Sequence, residues 1–259
     1  MKEQMLGYSV DCEPNNVLLD EIFSAIQRLP RGGGAKQANS WIACLNPHSY
    51  AVALEDEGFA RALRDADWLI PDGAGIVIAS KLLGGRIRER VTGSDVFFGL
   101  HSRMNAATGM SVFFLGATED TLARIRNRMA TDYPSISVVG TFSPPFKPSY
   151  STAELDEMID AVNASRADVL WVGLTAPKQE KWIYENRSRL NVKFAGAIGA
   201  VFDFYTGQVK RSPLVFQRMG LEWLPRLIQQ PRRLWRRMFI SAPIFLWHVV
   251  KERLRRSAC

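Results

Sequence analysis

The stretch Trp68-Leu69-Ile70-Pro71-Asp72-Gly73-Ala74-Gly75 decides the architecture. Three bulky apolar residues in a run too short for a helix read as a buried strand, and Pro71-Asp72-Gly73 reads as the loop that ends it. A helical pattern follows over 74–83. The same unit recurs in both directions. Trp41 to Leu45 is a strand ending at Asn46-Pro47, followed by a helix over 48–65. Val17, Leu18, Ile22, Ile26 and Leu29 stand at helical spacing before it. Downstream, a helix over 95–107 leads to a strand from Ser111 to Leu115, with Gly116 after it. Helices over 119–131, 152–164 and 178–189 then alternate with strands over 136–141, 168–172 and 192–197. Such alternation predicts an α/β fold of Rossmann-like type, a parallel sheet with helices on both faces. From 213 onward only helical patterns remain.

Composition narrows the function classes. The 259 residues are 47% apolar and 23% charged, enough to bury a core and too apolar for disorder. No apolar run reaches the roughly 20 residues of a spanning helix. The N-terminal MKEQMLGYSVD lacks the apolar centre of a secretory signal. Cys12, Cys44 and Cys259 are too scattered for a disulfide framework or a metal knuckle, which fits a reducing cytoplasm. Three isolated histidines argue against a His-built metal centre. Charge is segregated. Residues 1–207 carry 21 Lys/Arg against 24 Asp/Glu, net −3, and 208–259 carry 12 against 2, net +10. This predicts an α/β domain over 1–207, a basic aromatic-rich helical appendage over 208–259, and an anionic partner.

In open parallel sheets, ligands bind outside the carboxyl ends of the strands. That rule selects Asn46-Pro47-His48, the Asp72 loop, Gly116-Ala117-Thr118, the loop 173–180 and Gly196-Ala197-Ile198-Gly199. Several contain glycine and open into helix N-termini, a combination suited to phosphate. No GxGxxG follows the first strand, which disfavours a dinucleotide-dependent dehydrogenase.

These loops, with Glu89 to Asp95, Gly173 to Lys181, Gly199 with Phe202-Asp203, Gly220 to Leu224 and Pro231-Arg232-Arg233, make the chain similar to the bacterial WecG/TagA/CpsF glycosyltransferase family over about 6–250. The resemblance implies transfer of a sugar from a UDP-sugar donor to a polyprenyl-diphosphate-linked saccharide. It also implies inversion at the anomeric carbon, no metal or other cofactor, and an appendage that meets the inner face of the cytoplasmic membrane. Relatives can self-associate, so a homo-oligomer is among the implied partners.

The residues make chemical sense of this. Inverting transfer needs a base for the acceptor hydroxyl. The resemblance places it at Asp72, which could equally cap the helix starting near Ala74. A departing diphosphate needs cations or oriented donors. Arg90 matches a family active-site arginine, and Arg226, Arg233 and Arg236 match tail arginines that complete the site; a guanidinium fork suits phosphate oxygens. Asn46 and Gln179 match substrate contacts, against a turn-forming and an exposed first-turn alternative. Gly116, Gly173, Gly199 and Asp203 are weaker candidates for a nucleotide pocket. The Asp-x-Asp at 65–67 precedes its strand and reads as a helix end, not a metal site. His48 reads as a helix-start residue. Cys44 reads as a small buried residue where many relatives carry threonine.

The tail mixes Trp223, Trp235 and Phe239 with arginines, the composition of a helix lying on a lipid surface. Pro243 interrupts its most apolar part. Nucleic-acid binding is the rival for a +10 tail, but no recognition motif accompanies it, so none is expected; a noncatalytic adapter is the other rival. For the donor, Leu45 to Tyr50 lacks the acid common after Asn-Pro in acetylmannosaminyl enzymes. That favours a glucosyl donor in exopolysaccharide assembly, with N-acetylmannosamine or its uronic acid as the alternative.

Overall fold

The structure, a computed structural model, describes residues 1–29, 39–209 and 235–257. Its elements in chain order are β1 (Lys2–Met5), β2 (Tyr8–Asp11), α1 (Asn15–Arg28), β3 (Ser40–Leu45), α2 (Pro47–Ala53), α3 (Glu57–Asp65) and β4 (Trp68–Pro71). Next come α4 (Ala74–Leu82), α5 (Gly93–Ala107), β5 (Met110–Gly116), α6 (Glu119–Asp132), β6 (Ile136–Phe142) and α7 (Thr152–Ser165). Last are β7 (Val169–Gly173), α8 (Lys178–Asn186), β8 (Phe194–Ala197), α9 (Val201–Tyr205) and α10 (Ala242–Ser257). A 3-10 turn follows α8, and a π-helical turn (Arg237–Ser241) leads into α10.

Six strands form a parallel sheet in the order β4-β3-β8-β7-β5-β6, with helices around it. This is the expected Rossmann-like α/β fold. Strands covered on both faces are nearly continuous apolar runs; β4 and the first four residues of β7 are wholly buried, while the edge strand β6 is partly exposed. The antiparallel hairpin β1–β2 was not expected. Its strands have four residues each, and the first is mostly polar, so neither shows a periodic signal. The expected helix over 48–65 is two helices. Asp56 caps the second through Phe59 N–H at 3.0 Å, and an Asp that satisfies a free helix donor favours a new start over continuation.

The chain clusters into two compact units. The first holds Met1–Pro14, Cys44–Thr92 and the described C-terminal residues. Its core includes Tyr8, Val10, Ile70, Ile76, Phe245 and Val249. Here α10 contributes Phe245 and Val249, each 1% exposed, and packs on α2. Ser241 Oγ lies 2.9 Å from His48 Nδ1, and His248 Nδ1 lies 2.8 Å from the Tyr50 hydroxyl. The second unit holds Asn15–Ala43 and Gly93–Val209. Its centre is an aromatic cluster of Phe97, Phe114, Trp171, Phe202 and Tyr205. Trp171 Nε1 donates to His101 Nε2 at 3.2 Å. Burial lowers the His101 pKa to about 3, which keeps the ring neutral and able to accept.

Candidate active site

In the first unit, three loop positions are tied together through their backbones. Asp72 N–H donates to Leu45 O at 2.8 Å, and Val91 N–H donates to Pro71 O at 3.0 Å. Asn46, Asp72 and Arg90 each adjoin one of these bonds. The chain therefore places a carboxylate, an amide and a guanidinium residue at one locus without relying on side-chain packing.

Asn46 has two tasks. Its Oδ1 accepts from His48 N at 3.0 Å and Ser49 N at 2.9 Å, which caps α2, and Ser49 Oγ accepts from Asn46 N at 2.7 Å to complete a capping box. Using the carbonyl end for the cap turns the amide end outward, and Nδ2 donates to Asp72 Oδ2 at 3.3 Å. The turn-forming and site readings of Asn46 are both met by one side chain. Asp72 stands one residue before the N-cap of α4, which is Gly73 at φ +98°. It is half-buried. Gly75 is required nearby: a Cβ there would come within 2.6 Å of Pro47 Cγ, so the first turns of α2 and α4 meet only over a glycine.

His48 begins α2, as expected. Burial, then the charges of Arg237 and Arg236, lowers its pKa to about 4. Its ring is therefore neutral at pH 7. Arg236 itself is exposed. Arg226 and Arg233 lie outside the described residues. Asp65 ends α3 and Ala66 is its C-cap, so the Asp-x-Asp is a helix terminus as read. Among the described residues, no three His, Cys, Asp or Glu side chains form a group that could hold a metal.

The remaining candidates fall in the second unit. Gln179 lies in the first turn of α8, yet it is 3% exposed, unlike the first-turn surface residue that was the bland alternative. Pro177 is the N-cap of α8. Gln179 Oε1 accepts from Gly199 N at 3.1 Å, and Nε2 donates to Glu180 Oε1 at 3.0 Å. Glu180 is 2% exposed, its Oε2 has no partner, and burial raises its pKa to about 7 despite the Gln179 bond. Sequence reasoning missed Glu180, because an acid in a first helical turn ordinarily reads as a solvated residue favoured by the helix dipole.

Gly116 and Gly173 are paired in register between β5 and β7. A Cβ on Gly173 would meet the Phe202 ring at 2.5 Å, and one on Gly116 would meet Gly173 O at 2.5 Å. Close protein packing already accounts for both. Asp203 sits half-buried in α9, where its carbonyl accepts from Val209 N–H at 3.2 Å.

Comparison with known proteins agrees with the resemblance. The sequence model of the "Glycosyl transferase WecG/TagA/CpsF family" matches residues 3–259. The chain is 32% identical over 232 residues to an N-acetylglucosaminyldiphosphoundecaprenol N-acetyl-beta-D-mannosaminyltransferase of Bacillus spizizenii, covering 90% of this chain and 87% of that protein. It is 32% identical over 214 residues to the Bacillus subtilis enzyme of the same name, covering 82% and 79%. A Staphylococcus aureus enzyme of that name is 24% identical over 215 residues, covering 83% and 81%. All three names specify an N-acetylmannosaminyl group, so the glucosyl donor expected from the Asn-Pro stretch finds no support in these relatives. With the family matched over nearly its whole length and relatives above 30% identity, the chain belongs to the WecG/TagA/CpsF family and is a glycosyltransferase.

Proposed function

We propose that this chain moves N-acetylmannosamine from UDP to a polyprenyl-diphosphate-linked N-acetylglucosamine, with inversion and without a metal. The carrying observation is the Asp72 carboxylate, half-buried at the end of β4 and held by Asn46 Nδ2 at 3.3 Å. The acceptor hydroxyl gives its proton to Asp72 as its oxygen bonds to the anomeric carbon. The bond from that carbon to the diphosphate breaks on the opposite face, and UDP leaves with the electron pair. Arg90, Arg226, Arg233 and Arg236 are the proposed cations for that charge. Gln179 is the proposed contact to a donor-sugar oxygen. Gly116, Gly173, Gly199 and Asp203 are the proposed lining of the nucleotide pocket.

The donor follows the relatives. The missing acid after Asn46-Pro47 had favoured glucose, but position 48 is taken by a histidine turned to Ser241, at the approach to α10. That residue therefore reports how the C-terminal segment docks. A glucosyl donor is the second reading, argued from the Asn-Pro stretch.

We further propose that the appendage lies on the inner face of the cytoplasmic membrane. Support comes from the outward side of the C-terminal segment, where Trp235, Phe239, Leu246, Trp247, Val250 and Leu254 are exposed beside Lys251, Arg253 and Arg255. No helix among the described residues is long and apolar enough to cross a membrane. The test is transfer in detergent micelles with UDP-N-acetylmannosamine, its uronic acid or UDP-glucose, diphosphate-lipid acceptors and EDTA. Transfer from UDP-N-acetylmannosamine alone, unchanged by EDTA, supports the reading. Transfer only from UDP-glucose, or only with added metal, overturns the donor or the arginine account respectively.

A further inference from the structure

The first turn of α8 buries two neighbouring polar side chains, and only one has a role so far. Gln179 is engaged at both ends of its amide, by Gly199 N–H at 3.1 Å and by Glu180 Oε1 at 3.0 Å. Besides the Gln179 bond, the Glu180 carboxyl interacts with its own backbone N–H in the first turn of α8. It makes no salt bridge among the described residues, and its Oε2 is buried without a partner. Burying a carboxyl with an orphan oxygen costs stability that an apolar side chain of the same size would not. The helix dipole favours an acid in this turn but does not require it to be buried.

An amide can sit in either of two orientations that differ by exchange of its oxygen and nitrogen. Gly199 offers only an N–H, so it requires the carbonyl of Gln179. Glu180 Oε1 offers only an acceptor, so it requires the NH2. Both partners select the same orientation, and one N–H of Nε2 remains uncommitted by these bonds. We propose that Glu180 is a positioning residue: it fixes the Gln179 amide so that Gln179 meets the donor as an N–H donor to a sugar or phosphate oxygen. This rests on the proposed reading of Gln179 as a donor contact.

The burial that raises the Glu180 pKa to about 7 fits this role. With the proton on Oε2, the other oxygen still accepts from Gln179, so the orientation holds in either protonation state. No other residue's charge contributes to that rise. The elements packed on α8 agree with this. β8 has no ionisable side chain. In the 3-10 turn, Arg187 Nε donates to Asn39 O at 2.9 Å and Arg189 pairs with Asp156 at 2.6 Å.

The experiment is a double-mutant cycle on kcat/KM for the donor, using the full chain and a diphosphate-lipid acceptor. Gln179→Ala, Glu180→Leu, the double variant and Glu180→Gln are compared, with circular dichroism and Tm as folding checks. Leucine keeps the volume and removes the acceptor; Glu180→Met replaces it if it does not fold. Gln179→Ala and Glu180→Leu are each expected to lose about tenfold, and the double variant no more than Gln179→Ala alone. Glu180→Gln, which keeps a carbonyl for Gln179, is expected to stay within about threefold of the parent. Independent losses that multiply in the double variant would overturn the proposal, as would full activity in Glu180→Leu. Full activity in Gln179→Ala would instead remove the reading of Gln179, and the positioning role with it.

Discussion

The carboxyls of Asp72 and Glu180 are handled in opposite ways. Asp72 is half-buried, in a loop pinned by backbone bonds, and receives an amide N–H from a neighbouring loop. Glu180 is 2% exposed on a helix, receives an amide N–H from its chain neighbour, and is pushed by burial to about 7. Both accept from a side-chain amide, so the difference lies in solvent. A group that takes a proton from a substrate must be reachable. A group that holds another side chain works best where water cannot compete for the bond.

Asp72→Asn tests that contrast most severely. It keeps size and fold but removes the proposed base, and transfer should fall by roughly 10²- to 10⁴-fold with Tm unchanged. Residual activity within tenfold of the parent would remove Asp72 from the chemistry.

Glu180 should reveal itself in stability. Its folded pKa of about 7 lies above the 4.5 of an ordinary glutamate, so the folded state holds a proton that the unfolded state releases first. Stability is fully present below pH 4.5 and is lost as pH rises through 7, by about 3 kcal/mol at 1.36 kcal/mol per pH decade. Chemical denaturation from pH 4 to 8 measures this. In Glu180→Gln that decline should vanish; an identical decline in both proteins would assign it elsewhere.

Asn46→Ala removes a helix cap and the Asp72 contact together. The cap should cost about 1 kcal/mol in urea unfolding. The lost hydrogen bond should lower kcat by about tenfold, as for a bond to a charged group. A stability loss with unaltered kcat would leave Asn46 as a cap only.

The smallest effect is expected at His48, whose pKa is held down to about 4. The neutral ring is the folded form, so its contribution is present above pH 6.5 and lost as pH falls through 4. Acidification should loosen α10 on α2, read by hydrogen exchange in α10. His48→Gln should blunt that response, and an unchanged response would place the sensitive group elsewhere.

Much of this was legible in the sequence because it is local. Apolar runs such as Val169 to Val172, bounded by polar or glycine-containing turns, announce buried parallel strands. The loops after them carried Asn46, Asp72 and Gln179. The break in the expected helix over 48–65 was harder, since Asp56 reads equally as a surface residue or a cap. The β1–β2 hairpin was invisible because its alternation is too short to see.

By itself, the sequence determined the α/β alternation, the family and the basic, aromatic tail, because periodicity, motif order and charge are properties of neighbours along the chain. The three-dimensional packing is what turns the Asn46 amide toward Asp72, makes Phe202 require Gly173, and buries Glu180 beside Gln179. Each depends on which segment closes over a residue. That is set by packing between elements far apart in sequence, and burial is what converts an ordinary surface acid into a proton-holding support.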